Sequence, residues 1–268
     1  MCSSDLFPSH DINSINIGSG RLLTITAGQQ LNTINTPTLT GTANGYVYMP
    51  GDNYGASAPD SAALSITGDM DFRQRMSFDT LAPSGSMRLA AKYNSTGSQQ
   101  TWRLYMTNTG ALTLDLSPTG ANSSLATSSA TLSATGLSAG TTYWIRFTRE
   151  QSTGYVKFYY AADNASMPSS WTQIGTTQTA TTSAIFDSTA ALTIGGDSSV
   201  TNPMPGRYYW SQLRNNILDD GTGIQFDAVF SSKTVGADTF TESSSNAATV
   251  TMNGLSVYGF HWIWGLQQ

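Results

Sequence analysis

Charge is scarce in this chain. Asp, Glu, Lys and Arg make up 11% of its 268 residues, against about a quarter in an average soluble domain. There are only three lysines (Lys92, Lys157, Lys233) and two glutamates (Glu150, Glu242). The net charge is −5. With no basic stripe, the chain is a poor match for nucleic-acid backbones or anionic membranes, which are read through clustered Lys and Arg. Neither is expected as a partner. One cysteine, Cys2, cannot close an internal disulfide, so the fold does not depend on an oxidising compartment. With only two histidines, His10 and His261, and one cysteine, a His/Cys zinc site is not expected. No Gly-x-Ser-x-Gly elbow is present, and neither histidine sits in a setting that suggests a Ser–His–Asp triad. No apolar run approaches the roughly 18 residues of a membrane-spanning helix. The longest, 257–266, is interrupted by Gly259, His261 and Gly265. The start, MCSSDLFPSHDINS, has neither the basic nor the apolar segment of an export signal. Helical periodicity is nearly absent, and the Ala-rich stretch 121–135 is diluted by Ser and Thr.

What is present is a surface of hydroxyls and amides around recurring strand patterns. Met70, Phe72, Met76 and Phe78 alternate with Asp71, Arg73, Arg75 and Ser77, the period of a half-buried strand. Trp102, Leu104 and Met106 alternate with Arg103 and Tyr105. Leu112, Leu114 and Leu116 alternate with Thr113 and Asp115. Asn108-Thr-Gly between these two runs reads as a hairpin turn. Tyr143, Ile145 and Phe147 form the next apolar set, and Val156, Phe158 and Tyr160 the one after, joined through Gln151-Ser-Thr-Gly. Further strands are expected at 87–93, 171–176, 191–195, 206–213, 224–230 and 248–260. A dozen or more short strands, each with one apolar face, predict an all-β fold of two antiparallel sheets packed face to face. A sandwich of this length can form one domain. It would bury roughly 70–75% of its unfolded surface, so it needs no disulfide or metal to fold.

Three groups of segments resemble the laminin-G-like, concanavalin A-like jelly-roll domains of bacteriophage virion proteins. They are Tyr46-Val-Tyr-Met-Pro with Pro59-Asp-Ser-Ala-Ala-Leu-Ser-Ile-Thr-Gly-Asp-Met-Asp-Phe-Arg; Thr142-Tyr-Trp-Ile-Arg-Phe-Thr-Arg with Gly154-Tyr-Val-Lys-Phe-Tyr-Tyr; and Trp171-Thr-Gln-Ile-Gly, Leu192-Thr-Ile-Gly-Gly and Gly206-Arg-Tyr-Tyr-Trp-Ser-Gln-Leu-Arg. The tail Thr239-Phe-Thr-Glu with Ala248-Thr-Val-Thr-Met-Asn-Gly also fits. The resemblance covers residues 44–258 and implies a jelly-roll sandwich over 44–260. It leaves an N-terminal arm or small β element at 1–43, expected to lie on the sandwich or on a neighbouring subunit, and an aromatic tail at 261–268. It implies a non-enzymatic virion protein of the minor tail or fibre class. Such a protein would fold in the host cytoplasm without an export signal and leave in the assembled particle. Its expected partners are other virion proteins, further copies of itself in a homo-oligomer such as a trimer, and a host-surface glycan. The alternatives are a capsid decoration protein stabilising the head, and a carbohydrate-binding module or glucanase-type glycoside hydrolase.

A glycosidase of this fold needs carboxylates on one strand face across a cleft. The nearest mimic is Asp69-Met-Asp71; its simpler reading is a turn Asp followed by an Asp paired with Arg73 or Arg75. No catalytic residue is assigned. Glycan-contact candidates are Tyr105, Trp171, Tyr208 and Trp210, with Tyr54, Tyr159 and Tyr209 as further aromatics. Apolar rings with a polar rim stack on sugars, but about half of strand aromatics face the core. Phe260, Trp262, Ile263 and Trp264 form either a last core strand or an assembly anchor. No cofactor or metal is assigned. Calcium is the one open option, through the loop acids Asp197, Asp219 and Asp220, although Asp is also an ordinary turn former.

Overall fold

The computed structural model describes residues 46–51, 54–121, 123–196, 202–230 and 238–253. The proposed arm at 1–43, the tail at 261–268, the anchor residues Phe260, Trp262, Ile263 and Trp264, and Asp197 lie outside them. Sixteen strands are described: β1 (Val47–Met49), β2 (Gly55–Ala58), β3 (Met70–Phe78), β4 (Met87–Asn94), β5 (Gln99–Met106), β6 (Ala111–Leu116), β7 (Ser124–Thr131), β8 (Thr142–Glu150), β9 (Tyr155–Ala162), β10 (Thr172–Gln173), β11 (Gln178–Thr179), β12 (Leu192–Ile194), β13 (Gly206–Arg214), β14 (Ile224–Val229), β15 (Thr239–Thr241) and β16 (Thr249–Asn253). Two short 3-10 turns, Ala62–Leu64 and Ser133–Thr135, are described between strands.

The strands form the expected two-sheet antiparallel sandwich. The first sheet runs β1-β13-β3-β8-β9-β10, with β14 also on β13 and β11 also on β9; the second runs β15-β16-β2-β12-β4-β5-β6-β7. β1 pairs with 206–208 and β14 with 210–214, so the two share one edge of β13. The hairpins are local, but β13 returns from far along the chain to pair with β3. That long-range pairing sets which outward residues of the first sheet meet.

The core lies between the sheets. Met70, Phe72, Met76 and Phe78 of β3 and Ile145 and Phe147 of β8 meet Trp102, Leu104 and Met106 of β5 and Leu112, Leu114 and Leu116 of β6, all buried. At its centre Phe72, Trp102 and Phe147 form a triangle with ring centroids 5.8–5.9 Å apart. Two of these rings come from the first sheet and one from the second, so the triangle spans the interface. The Asn108-Thr-Gly turn is present as read. Gly110 has φ +86°, and a Cβ there would run into the carbonyl oxygen of Leu81. Glycine is therefore required on both conformational and steric grounds. Strand 171–176 is shorter than expected, reduced to Thr172–Gln173.

Replacing Trp102 with alanine would empty the apex of this triangle. The expected loss is about 3–5 kcal/mol, measured as a shift in urea unfolding midpoint; a loss under about 1 kcal/mol would contradict a central role for the ring.

Candidate ligand-binding face

Alternate residues of a strand point to opposite faces, so the inward set of the first sheet implies an outward set. The registers align that set in rows. One row reads Asp227, Gln212, Arg73, Arg146, Tyr159 across β14, β13, β3, β8 and β9; the next reads Trp210, Arg75, Trp144, Ala161. Arg73 and Arg146 are therefore direct cross-strand neighbours, an unfavourable placement for like charges. Asp71, one row away, resolves it. Its carboxylate accepts from Arg73 Nε and Nη2 (3.1 and 2.6 Å to Oδ2) and from Arg146 Nε and Nη2 (3.0 Å to Oδ1, 2.7 Å to Oδ2). A second carboxylate, Asp219 from the β13–β14 loop, approaches Arg73 Nη2 at 2.7 Å and Arg146 Nη1 at 3.7 Å.

Although these residues face away from the core, they are dry. Asp71 and Arg73 are fully buried and Arg146 nearly so. Trp171 forms the cover, its ring 5.6 Å from the Arg73 guanidinium and 5.2 Å from that of Arg146. Tyr159 flanks Arg146 at 5.5 Å. Trp144 lies beneath, edge-on to Trp171 at 6.5 Å and to Trp210 at 5.3 Å. Its indole N–H donates to the Asn164 carbonyl, and that of Trp210 donates to Asp227. Farther along, Arg75 is held by Asp163 and lies over Tyr209, which contacts Tyr46. The face is thus tiled by alternating guanidiniums and aromatic rings, contacts worth most when desolvated.

Arg73 and Arg146 share two carboxylates, Asp71 and Asp219, and Arg214 interacts with both of these and with the exposed Asp220. Burial works against the Arg73 charge, but bonding to Asp71 and then to Asp219 more than compensates and raises its pKa above the ordinary arginine value. Arg214 moves the other way, lowered first by burial and then by the charge of Arg73. Arg73 Nη1 and Trp171 Nε1 are buried without a hydrogen-bond partner. Two donors with no acceptor in one patch are unusual, since buried polar atoms are nearly always satisfied.

Of the aromatic residues expected to contact glycan, Trp171 and Trp210 fall on this face, half-buried at its rim, as does Tyr159. Tyr105 lies on the outer face of the opposite sheet. There Arg103 is stacked 4.2 Å from Tyr93 and 5.6 Å from Tyr105 and is paired with Asp115. Tyr105 therefore cannot share a site with Trp171. Tyr208 must be corrected. It is a core residue, fully buried, with its hydroxyl donating to the Met204 carbonyl at 2.6 Å, and burial pushes its phenol pKa far above the usual range. A β-bulge between Tyr208 and Trp210 breaks strict alternation: Tyr208 pairs with inward Met76 and Trp210 with outward Arg75. The calcium candidates in the described residues are also engaged otherwise. Asp219 pairs with the arginines, and Asp220 accepts from the Thr222 amide and hydroxyl. Asp69 accepts from the Gln151 amide at 2.8 Å. Strand reading missed Trp144, Arg146, Gln212, Asp227 and the pairing role of Asp219. Their signal was the outward arginines of two predicted strands in a charge-poor chain.

No protein-family model matches the chain, and no curated protein matches its sequence. Among solved structures, it is similar to a native heptameric SAP-like pentraxin from Limulus polyphemus, with 12% identity over 67% of this chain and 80% of that one and a TM-score of 0.43. It is also similar to the CBM40 of the Ruminococcus gnavus IT-sialidase bound to alpha2,3 sialyllactose, with 14% identity over 66% and 95% and a TM-score of 0.43. A third similarity is to the extracellular region of zebrafish Gpr126/Adgrg6, with 13% identity over 78% of this chain and 26% of that one and a TM-score of 0.44.

Removing the Asp71 carboxylate would leave two buried guanidiniums side by side. Asp71→Ala is expected to cost about 3–5 kcal/mol, the range for breaking a buried ion pair from one side. Denaturant unfolding checks this, and an effect below about 1 kcal/mol would contradict the burial of the cluster.

Proposed function

We propose that the protein is a non-enzymatic, glycan-binding component of a bacteriophage particle, associated with the tail or fibre, and that it binds through the outer face of the first sheet. The observation carrying the binding reading is the joining of two half-buried rings, Trp171 and Tyr159, to the buried arginine pair Arg73 and Arg146, with half-buried Trp210 linked to Trp171 through Trp144. A sugar offers an apolar C–H face to such rings and hydroxyl oxygens to such donors. Guanidiniums fixed by Asp71 are preorganised, so little side-chain entropy is lost on binding. Trp210 lies on β13 and Tyr159 on β9, while Trp171 immediately precedes β10, so the platform draws on two strands and one connecting segment. The non-enzymatic part is supported by the surroundings of the acid pair. Asp71 is saturated by two arginines and Asp69 is tied to the Gln151 amide, which leaves neither placed as a catalytic acid. The virion assignment rests on the resemblance of residues 44–258 to phage structural domains and on the hydroxyl-rich, charge-poor surface.

Screening the full-length protein on an array of bacterial-wall and surface glycans tests the binding reading. Trp171→Ala is expected to weaken the bound sugar at least about tenfold while circular dichroism remains that of a folded β protein. Unchanged affinity would remove this face as the site. Labelled antibody on intact particles tests location, and signal on the head instead of the tail would overturn the tail assignment.

A further inference from the structure

Within the arginine cluster, the two carboxylates are not equivalent. Asp71 belongs to a central strand and is fully buried, with both oxygens shared between the guanidiniums. Asp219 comes from the β13–β14 loop, its side chain is 39% exposed, and its approach to Arg146 is long at 3.7 Å. Hydrogen bonds of the loop are largely internal: Asn215 to Gly223, Asn216 to Thr222, Leu218 to Asn216, and Thr222 to Asp220. Apart from Asp219, its described ties to strand side chains are a 3.5 Å contact from Arg214 Nη1 to the Leu218 carbonyl and a 3.3 Å bond from Gln225 Nε2 to the Gly223 carbonyl. Leu218, next to Asp219, is 57% exposed. Asp219 is thus the replaceable partner.

Charge determines what can replace it. Arg73 and Arg146 share Asp71 and Asp219, and Arg73 Nη1 is buried with no acceptor. Displacing Asp219 with a neutral hydroxyl would leave a buried positive charge uncompensated, which is costly. An incoming carboxylate keeps the balance and offers two oxygens to donors set in a fork. We propose that this face takes glycans bearing a carboxylate, of the uronic or sialic acid type, and that Asp219 is a built-in competitor holding the position of the ligand's carboxylate in the free protein. This rests on the glycan-binding reading of the same face.

The test compares carboxylated oligosaccharides of the uronic and sialic type with their methyl esters, which keep the shape and lose the charge. Wild-type full-length protein and Asp219→Asn are titrated by calorimetry. The expected result is that the acids bind wild type at least about tenfold more tightly than the esters, with affinity falling as salt rises. Asp219→Asn should bind the acids several-fold more tightly still, because removing an internal competitor raises the fraction of binding-competent protein. Esters binding as well as acids would overturn the carboxylate class while leaving the glycan reading intact. Acid preference in wild type with no gain in a folded Asp219→Asn or Asp219→Ser variant would overturn the competitor role. Binding of no sugar by any variant would remove the glycan reading itself, and this inference with it.

Discussion

The outer face of the first sheet depends on one carboxylate. Strand register sets Arg73 opposite Arg146, and nothing in the backbone pairing relieves their repulsion. Asp71 relieves it by accepting from both side chains at once. The layer can then close: Trp171 lies over both guanidiniums, Trp144 fills the space beneath, and Trp210 completes the edge. The order of dependence matters. An aromatic cover over two unpaired buried cations would be strongly unfavourable. The aromatic tiling is therefore a consequence of the ion cluster. The same reasoning explains why a surface so poor in charge brings Arg73, Arg146, Asp71 and Asp219 together.

The opposite sheet offers a comparison in the same molecule. Arg103 also pairs with an aspartate, Asp115, and also sits between rings, Tyr93 and Tyr105. There a single guanidinium meets a single carboxylate, and the arginine side chain keeps 21% exposure. Arg88 approaches the same Tyr105 ring at 5.6 Å, and the carboxylate described against Arg103 is carried by a strand. The two outer faces thus share a vocabulary but differ in stoichiometry. On the first sheet, two adjacent buried guanidiniums share a strand carboxylate with a second carboxylate that a loop carries.

Much of the sandwich was legible because period-two alternation is strong wherever one face is apolar and large. β3, β5, β6, β8 and β9 meet that condition. β2 and β7 do not. Gly55–Ala58 and Ser124–Thr131 are built mostly from small and hydroxylated residues, and the one large apolar residue among them, Leu125, is exposed, so their burial leaves no hydrophobic trace. The site was less legible, for two physical reasons. Alternation tells which residues share a face of one strand but not which strands are neighbours, so the Arg73–Arg146–Gln212 row is invisible until β13 is known to lie on β3. The bulge in β13 then changes the parity. It sends Tyr208 inward while Tyr209 contacts Arg75 and Tyr46 on the outer side with Trp210. Strict alternation through Tyr-Tyr-Trp would have put Tyr208 and Trp210 on one face. Asp71 itself was partly readable: its pairing with Arg73 follows from sequence proximity, whereas its second partner, Arg146, comes from another strand.

Stability alone does not account for this cluster. Well-packed apolar residues of similar volume commonly hold a buried layer as well as a buried ion network does, or better. Met, Leu and Phe at these outward positions would have served a purely structural cover, as they do on the inner face of the same strands. Arginines fixed from one side by a strand carboxylate and approached from the other by a loop carboxylate do something an apolar layer cannot. They present donors whose geometry is already set, and one of their two acceptors is not part of the sheet. The energetic demand of keeping charge balanced in a dry layer, which makes the cluster costly as scaffold, is the same demand that would make it selective for what replaces the loop.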